Sequence, residues 1–487
     1  MKIILWIVLG ILCLLVLLVL IAVIRTLLTP AKTSEWEPVM DPEREQAYAE
    51  KLAEMIRFET VSYKGQIQRE KFLEFHKILE KLFPLVHEKL EKTEIDGSLL
   101  YYWKGKHSDK PLVLMGHQDV VPAEGKWEHE PFSGDIEDGK VWGRGSADTK
   151  CSVMSFLQAA EELLADGFVP EQDVYLSSSN TEEVGGEGCP KLVAELKKRG
   201  VTPFIVNDEG GSIVTEPMAG LKGNFAMVGV LEKGQGNLRI IARSNGGHSS
   251  YPPKDSPIVR LSKFLVDLTK HSPMKSIMKT QAREMFENMA PYGPFWMRLL
   301  FGNIWLFKPL LEILMPSISA QAAALLRTTV APTMQAGSDG CNVLPQEASL
   351  VLNLRYIPHQ NMEESNAAIK RFADKYKLEV EIIDAYPACE PVDTHSEAFH
   401  VVEETIREVF PKLPIVPYVM TGGTDARFYQ EICDACIRFS PVVYGKAQMK
   451  GMHGLNEYLD TYSLPGAVDY YKALIRRNVV CNDDSLQ

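Results

Sequence analysis

The sequence is short of positive charge. It contains 52 lysines and arginines against 64 aspartates and glutamates, which gives a formal net charge of −12. No stretch of the chain gathers basic residues into a stripe. Because nucleic-acid binding depends on lysines and arginines that neutralise phosphates, we expect no nucleic-acid partner.

The sequence also lacks the cysteine pattern of a disulfide framework. One of its eight cysteines, Cys13, lies in an apolar N-terminal run, and the others are scattered: Cys151, Cys189, Cys341, Cys389, Cys433, Cys436 and Cys481. An odd, irregularly spaced set does not suit a network of disulfides. Cys433-x-x-Cys436 is compatible with a redox or zinc pair, but no second pair accompanies it. Buried thiols are the favoured interpretation.

Internal repeats and low-complexity tracts are absent as well. Apolar residues make up 45% of the 487 residues, which is ordinary for a folded protein and argues against general disorder. A chain of this length is expected to form two or three domains with ample core.

A long uncharged run, Ile3 to Ile24, opens the sequence, with Lys2 before it and Arg25 after it. About 20 apolar residues span a bilayer, so the run predicts a transmembrane helix. A cleaved signal peptide is the alternative, but its apolar region is usually only ~7–15 residues long. Flanking positive charges are nearly balanced once Lys32 is included. We expect a single-pass anchor with the bulk of the chain outside the cytoplasm.

Strands and helices then alternate, which predicts an α/β fold with a mostly parallel sheet. Helices are expected over 42–57, 69–83, 151–165 and 191–198, and strands over 99–103, 112–115, 173–177 and 204–206. Ligands in such folds bind beyond the carboxyl ends of the strands. His117, Glu182 and Asp208 each come just after a predicted strand.

The pattern changes near residue 225, where an α+β domain is expected to interrupt the first. The predicted divisions are an anchor and linker start over 1–28, a first catalytic part over 29–225, an inserted lid or dimerisation domain over 226–358, and a second catalytic part over 359–487. Within the insertion, 295–307 is rich in Phe, Trp, Met and Leu. This segment is either core or dimer interface, or a surface for an acyl chain or a membrane.

Three polar islands interrupt the apolar segments of the first part. His117-x-Asp119 offers an imidazole and a carboxylate that can fix its tautomer. Asp148 follows the glycine turn Gly143-x-Gly, and its two oxygens can bridge two cations. In Glu182-Glu183, one acid could bind a metal while its neighbour takes a proton from water. Zinc takes His nitrogen and Asp/Glu oxygen ligands, so we predict one metal site centred on Asp148.

Two further acids and two histidines complete the candidate set. Asp208-Glu209 follows a buried strand, and His453 is flanked by glycines. His248, in Gly247-His248-Ser249, falls in the inserted domain. It is therefore not expected to bind the metal, although it could donate a hydrogen bond to a developing oxyanion. A simple turn residue is the alternative for His248.

Six motifs occur in order along the chain: His117-Gln-Asp119, Gly143-Arg-Gly-x-x-Asp148-x-Lys150, Glu182-Glu183-x-Gly-Gly, Asp208-Glu209-Gly, Gly247-His248-Ser249 and Gly422-Gly423-Thr424-Asp425. Together they resemble the aminoacylase/carboxypeptidase S family of dinuclear zinc metallopeptidases. The most similar branch is that of carboxypeptidase S and the N-fatty-acyl-amino-acid synthase/hydrolases. The resemblance covers about residues 45–475.

This resemblance implies a role for each candidate residue. The implied zinc ligands are His117, the bridging Asp148, Glu183, Asp208 and His453, with Glu209 as the alternative to Asp208. Glu182 is implied as the general base, Asp119 as the residue that orients His117, and His248 as the oxyanion donor, often from the partner subunit of a homodimer. Asn342 and Arg427 resemble substrate contacts. Arg427 suits a carboxylate, unless it forms an ion pair with Asp425.

The implied activity is release of a free amino acid from N-acyl amino acids by zinc-activated water. Long acyl chains and the reverse condensation fit the same site, and Co²⁺ or Mn²⁺ could replace the two Zn²⁺ ions. One alternative is a carboxypeptidase or dipeptidase acting on small peptides with a free C-terminus. A more remote one is a catalytically dead, membrane-anchored binding protein.

Overall fold

The structure is a computed structural model that describes residues 2–66 and 68–478. Cys481 and the last residues of the predicted second catalytic part, 479–487, lie outside the described residues. The described residues form a mixed α/β architecture.

The helices follow the order of the chain, with one 3₁₀ turn at Ala290–Tyr292. They are α1 (Lys2–Leu28), α2 (Pro42–Arg57), α3 (Arg69–Leu82), α4 (Pro84–Lys89), α5 (Lys150–Ala165), α6 (Gly188–Lys198), α7 (Pro257–Lys270), α8 (Thr280–Met289), α9 (Phe295–Phe301), α10 (Ile304–Ile318), α11 (Ala320–Leu326), α12 (Met362–Asp374), α13 (Glu397–Val409), α14 (Ala426–Tyr429), α15 (Lys446–Gly451) and α16 (Ser463–Arg477).

The strands form one large sheet and three smaller ones. They are β1 (Glu91–Ile95), β2 (Ser98–Trp103), β3 (His107–His117), β4 (Ile136–Glu137), β5 (Lys140–Trp142), β6 (Gln172–Ser179), β7 (Ile205–Asp208), β8 (Ser212–Thr215), β9 (Asn224–Glu232), β10 (Gly234–Arg243), β11 (Gly247–His248), β12 (Thr329–Ala336), β13 (Val343–Leu344), β14 (Glu347–Tyr356), β15 (Glu379–Tyr386), β16 (Ile415–Met420), β17 (Cys436–Arg438), β18 (Val443–Tyr444) and β19 (Tyr458–Asp460).

Local sequence signals mark where these elements begin. At the start of α2, Asp41 accepts a hydrogen bond from the Arg44 backbone N–H at 3.2 Å, and Pro42 occupies the first turn. Both features favour a helix N-terminus, since they satisfy or remove otherwise unpaired donors. The helix then buries its apolar stripe, including Leu52 and Ile56, against the core.

The large sheet has the order β1-β2-β6-β3-β7-β17-β9-β8-β18, and β16 also pairs with β9. Its centre is parallel, with β3 between β6 and β7, whereas β1, β2 and β8 pair antiparallel with neighbours. The sheet is therefore mixed rather than mostly parallel. Every residue of β6 and β9 is buried, so helices or loops cover both faces of the sheet, as in other α/β folds.

A smaller antiparallel sheet, β12-β14-β10-β15, is formed by the chain between β9 and β16. Side chains from its strands and from the helices α7 and α12 share one hydrophobic core, which includes Ile240, Leu352, Phe264 and Phe372. The two helices therefore cover one face of this sheet.

The borders of this inserted unit differ from the expected 226–358. Strand β9 pairs with β16 and β8 in the large sheet, whereas β15 pairs with β10 in the smaller one. The unit that contains the smaller sheet therefore begins at β10 and extends through β15. Sequence periodicity marks the strands but not their partners, which is why the borders shift.

Helices α8 to α11 do not belong to the core of the smaller sheet. Their inner side packs against β9 and β16, in a cluster that includes Phe286, Phe301, Met227 and Val416. The inner side of the aromatic-rich segment is thus core, as one of the two alternatives predicted. Its outer side is exposed.

Helix α1 is long and apolar enough to cross a membrane. Most of its side chains are exposed, and Ala22 and Thr26 are the residues that α1 buries. Length and composition alone fit either an anchor or a signal sequence.

All seven cysteines within the described residues are free. Cys433 and Cys436 are buried, and the Cys436 thiol donates to the Cys433 carbonyl oxygen at 3.5 Å. Their environment is the apolar core, which suits buried thiols.

Candidate metal centre

The predicted ligands meet at the carboxyl ends of neighbouring strands. His117 is the last residue of β3, Asp208 is the last residue of β7, and Glu182 follows β6. Because β3 lies between β6 and β7 with all three parallel, their ends lie side by side. This is where an α/β sheet places its ligand site.

The loop before α5 carries Asp148 into the same cleft. Gly143 and Gly145 have φ angles of 136° and 88°, a region that favours glycine. A Cβ at Gly143 would lie 2.6 Å from the Ile56 side chain, and one at Gly145 would lie 2.8 Å from Val120. Only glycine fits this path, which explains the Gly-x-Gly spacing before Asp148.

Glu457 holds this loop in place, a role that the sequence did not reveal. One of its carboxylate oxygens accepts hydrogen bonds from the backbone N–H groups of Gly145, Ala147 and Asp148 at 3.0, 2.9 and 3.1 Å. Its other oxygen accepts from Arg144 Nη1 at 2.6 Å. Burial raises the pKa of Glu457 to about 7, although Arg144 opposes the shift. The sequence hint for Glu457 was its position four residues after the candidate ligand His453.

The first possible ligand group is His117, Asp148 and Glu209. His117 Nε2 lies 3.2 Å from Asp148 Oδ1 and 3.2 Å from Glu209 Oε1. On the other side of the ring, His117 Nδ1 lies 2.8 Å from the backbone carbonyl oxygen of Asp119. This contact leaves Nε2 free to face the two carboxylates, in the arrangement typical of a metal-binding histidine.

The second possible group is Asp148, Glu183 and His453. His453 Nε2 lies 3.0 Å from Asp148 Oδ2 and 3.0 Å from Glu183 Oε2. Asp148 thus faces one histidine with each of its oxygens, which is the geometry expected of a carboxylate shared by two cations. His453 itself has a φ of 54°, a sparsely populated conformation that is common at functional sites.

Asp119 links the two groups. Its carboxylate accepts hydrogen bonds from the backbone N–H groups of Glu182 and Glu183 at 3.1 and 3.2 Å, and from the Ser62 hydroxyl at 2.6 Å. The nearer carboxylate oxygen is 3.5 Å from His117 Nδ1, so the ring is held mainly by the Asp119 carbonyl. Asp119 therefore positions the acidic pair as well as the histidine.

The structure places Glu209, rather than Asp208, in the ligand cluster. Asp208 Oδ2 accepts a hydrogen bond from the Ala426 backbone N–H at 2.9 Å, at the start of α14. Neighbouring residues at a strand end point to opposite sides, so only one of the pair can reach His117. The geometry therefore favours Glu209 over Asp208, the acid preferred from the sequence, as the candidate ligand.

Burial and mutual repulsion make this cluster unfavourable without a cation. Burial raises the pKa of Glu182 well above its usual range and that of Glu209 to about 8. Burial also disfavours the charge of Asp148, but hydrogen bonds from His117 and His453 outweigh it and lower the pKa of Asp148. Divalent cations would relieve the repulsion between such carboxylates.

The residues present fit two metal ions. Among the described residues, the buried Glu183 Oε1 has no hydrogen-bond partner, so its second oxygen is available to a cation. The donor set of imidazole nitrogens and carboxylate oxygens suits zinc and other divalent first-row metals.

His248 and Asn342 lie close to each other. The Ser249 backbone N–H donates to the Asn342 carbonyl oxygen at 3.1 Å, and β11 pairs with β13. Both residues are exposed, and no hydrogen bond or ion pair joins either side chain to the ligands within the described chain. Their predicted roles as oxyanion donor and substrate contact therefore stay predictions.

Arg427 is closer to the acidic cluster. Its guanidinium stacks on the rings of Tyr386 and Phe428, with centroid distances of 5.1 and 4.4 Å, and donates to the Thr424 carbonyl oxygen at 2.9 Å. Asp425 accepts instead from the Ser179 hydroxyl. In the described part of the chain, no ion pair joins Arg427 to Asp425.

The sheet topology and the shared-carboxylate cluster are those of a metallopeptidase fold. A model of peptidase family M20/M25/M40 matches residues 113–477, and the chain belongs to this family. It is therefore an enzyme of the metallopeptidase and amidohydrolase type. This confirms the family resemblance drawn from the motifs.

The relatives define the branch. The chain is 33% identical over 440 residues to a probable carboxypeptidase S-like 2 of Dictyostelium discoideum, with 88% of this chain and 84% of the relative covered. It is 31% identical over 471 residues to an N-fatty-acyl-amino acid synthase/hydrolase of Xenopus tropicalis, with 93% and 91% covered. These relatives match the branch suggested by the motifs.

Solved structures show the same fold. The M20 family metallo-carboxypeptidase Sso-CP2 from Sulfolobus solfataricus aligns with a TM-score of 0.66 at 18% identity, covering 90% of this chain and 99% of that one.

Proposed function

We propose that the protein is a dinuclear zinc amidohydrolase that releases free amino acids from N-acyl amino acids. The observation that carries this proposal is the position of Asp148, whose two oxygens face His117 and His453 at 3.2 and 3.0 Å. Each of these pairs is completed by a further carboxylate, Glu209 on one side and Glu183 on the other.

Two bound cations would supply an acidified water and an electrophile for the amide carbonyl. The chain provides the remaining steps. Glu182 takes a proton from the attacking water and returns it to the leaving amine. Burial raises the pKa of Glu182, which favours the protonated form that must deliver the proton to the leaving amine. Asp119 holds Glu182 in place through the backbone.

His248 is proposed to stabilise the oxyanion. Its Nδ1 accepts a hydrogen bond from the Ser250 backbone N–H at 3.2 Å, which leaves the ring proton on Nε2. An exposed Nε2–H is a donor that can be aimed at a developing negative charge. Because no hydrogen bond or ion pair joins His248 to the ligands within the described chain, we propose that a homodimer supplies it, together with Asn342.

Arg427 is proposed to bind the substrate carboxylate. The aromatic rings of Tyr386 and Phe428 fix its plane, while most of its N–H groups remain available. A planar guanidinium binds a carboxylate through two parallel hydrogen bonds. A free α-carboxylate is shared by N-acyl amino acids and C-terminal peptides, so Arg427 alone does not choose between them.

The relatives support both substrate classes. The Xenopus protein is named as an N-fatty-acyl-amino acid synthase/hydrolase, which favours long acyl chains and includes the reverse condensation. The Dictyostelium relative favours the second candidate, a carboxypeptidase acting on small peptides. Hydrolysis of an N-oleoyl amino acid and of an N-blocked dipeptide, compared by kcat/KM on the zinc-loaded full chain, separates them.

We also propose that α1 anchors the enzyme, with the catalytic part outside the cytoplasm. The helix is long and apolar enough for a single span. Retention of the full chain in membranes after alkaline extraction tests the anchor, and release into the supernatant would contradict it.

The mechanism is tested by Glu182→Gln. Because the amide cannot accept the proton, kcat should fall by roughly 10²–10⁴-fold. Metal content should stay at the wild-type level, since the ligand groups do not include Glu182. The test measures kcat and metal content on the same preparation, and an unchanged kcat would contradict the assignment of Glu182 as the general base. Lys446→Met, at an exposed site, serves as a matched control for purification and loading.

A further inference from the structure

Helix α10 is largely apolar, with Lys308 and Glu312 as its charged residues, yet only one side of it is covered. Ile304, Leu311 and Met315 are buried against the rest of the chain. On the outer side, Leu310 and Ile313 are 46% and 71% exposed. A helix with this much apolar surface normally lies in a core or a membrane, so we expect its exposed outer side to contact a partner.

Helix α9 continues this surface. Phe295 and Trp296 are 44% and 52% exposed, and α9 meets α10 at an angle of 102°. So sharp a bend prevents the two helices from crossing a bilayer as one straight span. It leaves a bent apolar surface, here named the elbow, made of the exposed residues Phe295, Trp296, Trp305, Leu310, Ile313, Leu314 and Ile318.

The elbow is attached to the end of α1. Asn303, between α9 and α10, donates through Nδ2 to the Thr26 hydroxyl at 3.1 Å. Arg298 Nη2 donates to the Thr26 carbonyl oxygen at 2.9 Å and also to the Thr29 carbonyl oxygen. These contacts satisfy carbonyl groups at the C-terminus of α1, which would otherwise lack partners. They also hold the elbow beside the C-terminal end of α1.

The C-terminal end of α1 corresponds to the edge of a bilayer. The uncharged run of α1 ends at Ile24, within the stretch whose buried residues are Ala22 and Thr26. At about 1.5 Å per residue, the run from Ile3 is roughly 33 Å long, close to the ~30 Å hydrocarbon core of a membrane. Residues that pack on Ala22 and Thr26 therefore lie at the membrane–water boundary.

The composition of the elbow suits that boundary. Tryptophan is enriched at membrane interfaces, and Trp296 and Trp305 are both exposed. The one acid in α9 and α10, Glu312, points its carboxylate back to the Met278 backbone N–H at 2.7 Å. No carboxylate on these two helices is thus left free to oppose an anionic lipid headgroup.

We propose that the elbow inserts into the leaflet beside α1 and gives the enzyme a second membrane contact. The proposal rests on the membrane anchor of the proposed function and goes beyond it, because an anchor alone leaves the catalytic part free to tumble. Lipid is favoured over a second copy of the chain because the surface lies beside the end of the membrane span. Through Phe301 and Val416, the same segment packs on the large sheet, so insertion would fix the orientation of that sheet.

A fluorescent reporter in the full-length protein tests the insertion. Cys13, Cys341 and Cys481 are first replaced by alanine, so that one introduced cysteine can be labelled with an environment-sensitive nitrobenzoxadiazole dye. The reporter variant is Ile313→Cys. The matched control is Val266→Cys, an apolar residue of α7 that is 55% exposed. Both proteins are reconstituted into phosphatidylcholine vesicles that contain some phosphatidylserine.

Insertion predicts a blue-shifted emission at position 313 and a loss of its intensity with doxyl-labelled lipid, with neither change at position 266. Equal, water-like emission at both sites would overturn the proposal. Self-quenching between labelled copies that is relieved by unlabelled protein would place a second copy on the elbow and overturn it too. Alkaline extraction of the same vesicles reports on the anchor. Retained protein with a water-exposed label contradicts only the elbow, and released protein contradicts the anchor and the elbow together.

Discussion

At the scale of single residues, Asp148 lies at the middle of the candidate metal centre. The two ligand groups have this residue in common. The loop that carries it depends on the tight path at Gly143 and Gly145 and on the buried carboxylate of Glu457. A side chain shared by two cations should affect both when it is lost, whereas each unshared ligand should affect one.

Metal stoichiometry distinguishes the acids at this centre. Asp148→Asn should lose both metal ions, and Glu209→Gln should lose only the ion beside His117. Asp208→Asn should retain both, because the Asp208 carboxylate accepts from the Ala426 backbone N–H instead. Metal analysis after gel filtration, with thermal melting to verify folding, measures the effect. Two retained ions in Glu209→Gln and fewer in Asp208→Asn would reverse the assignment.

The contrast between Asp208 and Glu209 also shows how much of the site could be predicted from the sequence. His117 and Glu183 could be predicted because each stands at or just after the end of a buried strand, and Asp148 and His453 because glycines precede or flank them. The sequence could not separate Asp208 from Glu209, since their order along the chain does not say which one faces the cleft. Glu457 was missed because it supports the loop of Asp148 through hydrogen bonds to residues hundreds of positions earlier in the chain.

At the scale of secondary-structure elements, the strands were predictable and their partners were not. The runs at 99–103 and 112–115 correspond to β2 and β3, because buried strands have continuous apolar stretches. Strand β9 joins the large sheet, whereas β10, only two residues further on, joins the smaller one. No local pattern distinguishes the two, since pairing is decided by distant segments.

Lys233, the single residue between these strands, has a buried amino group that supports a helix end. Its Nζ donates to the carbonyl oxygens of Ala324 and Arg327 at 2.9 and 2.8 Å, at the C-terminus of α11. Burial lowers the pKa of Lys233 from 10.5 to about 7, and the positive charges of Arg355 and Arg327 act in the same direction. The folded state thus binds this proton less tightly than the unfolded state does.

This shift predicts how stability depends on pH. Below about pH 7 both states hold the proton and the burial penalty is complete, whereas above 10.5 neither does. Between these values the unfolded state binds more protons, so the contribution of Lys233 to the free energy of unfolding rises with pH, by at most about 1.4 kcal/mol per unit.

The comparison is wild type against Lys233→Met, with denaturant unfolding in detergent at pH 7.5 and 9.5. The free energy of unfolding of wild type, relative to the variant, should be larger at the higher pH. Lys446→Met, at an exposed lysine, should follow wild type at both values. A pH-independent difference between wild type and Lys233→Met would show that Lys233 is not neutralised in the folded protein.

At the scale of the whole molecule, the proposed oxyanion donor has no hydrogen bond or ion pair to the candidate ligands within the described chain. The ligand cluster is assembled within one chain, but His248 and Asn342 lie on an exposed pair of short strands. His248 Nδ1 lies 3.2 Å from the Ser250 backbone N–H, and Nε2 is the proposed donor. A dimer in which each chain contributes this histidine to its partner would complete two sites at once.

Hybrid dimers test this arrangement. His248→Ala and Glu182→Gln should each be nearly inactive alone, since one lacks the oxyanion donor and the other lacks the base. In a hybrid, the site that uses Glu182 of the first chain also receives His248 of the second, and is intact. Random pairing of equal amounts makes about half of all dimers hybrid, with one good site of two, so about a quarter of wild-type activity should return. Co-expression with two affinity tags, followed by sequential purification, isolates the hybrids, which should show about half of wild-type activity because one site of two is intact. Activity no greater than the mean of the two parents would place His248 in the site of its own chain.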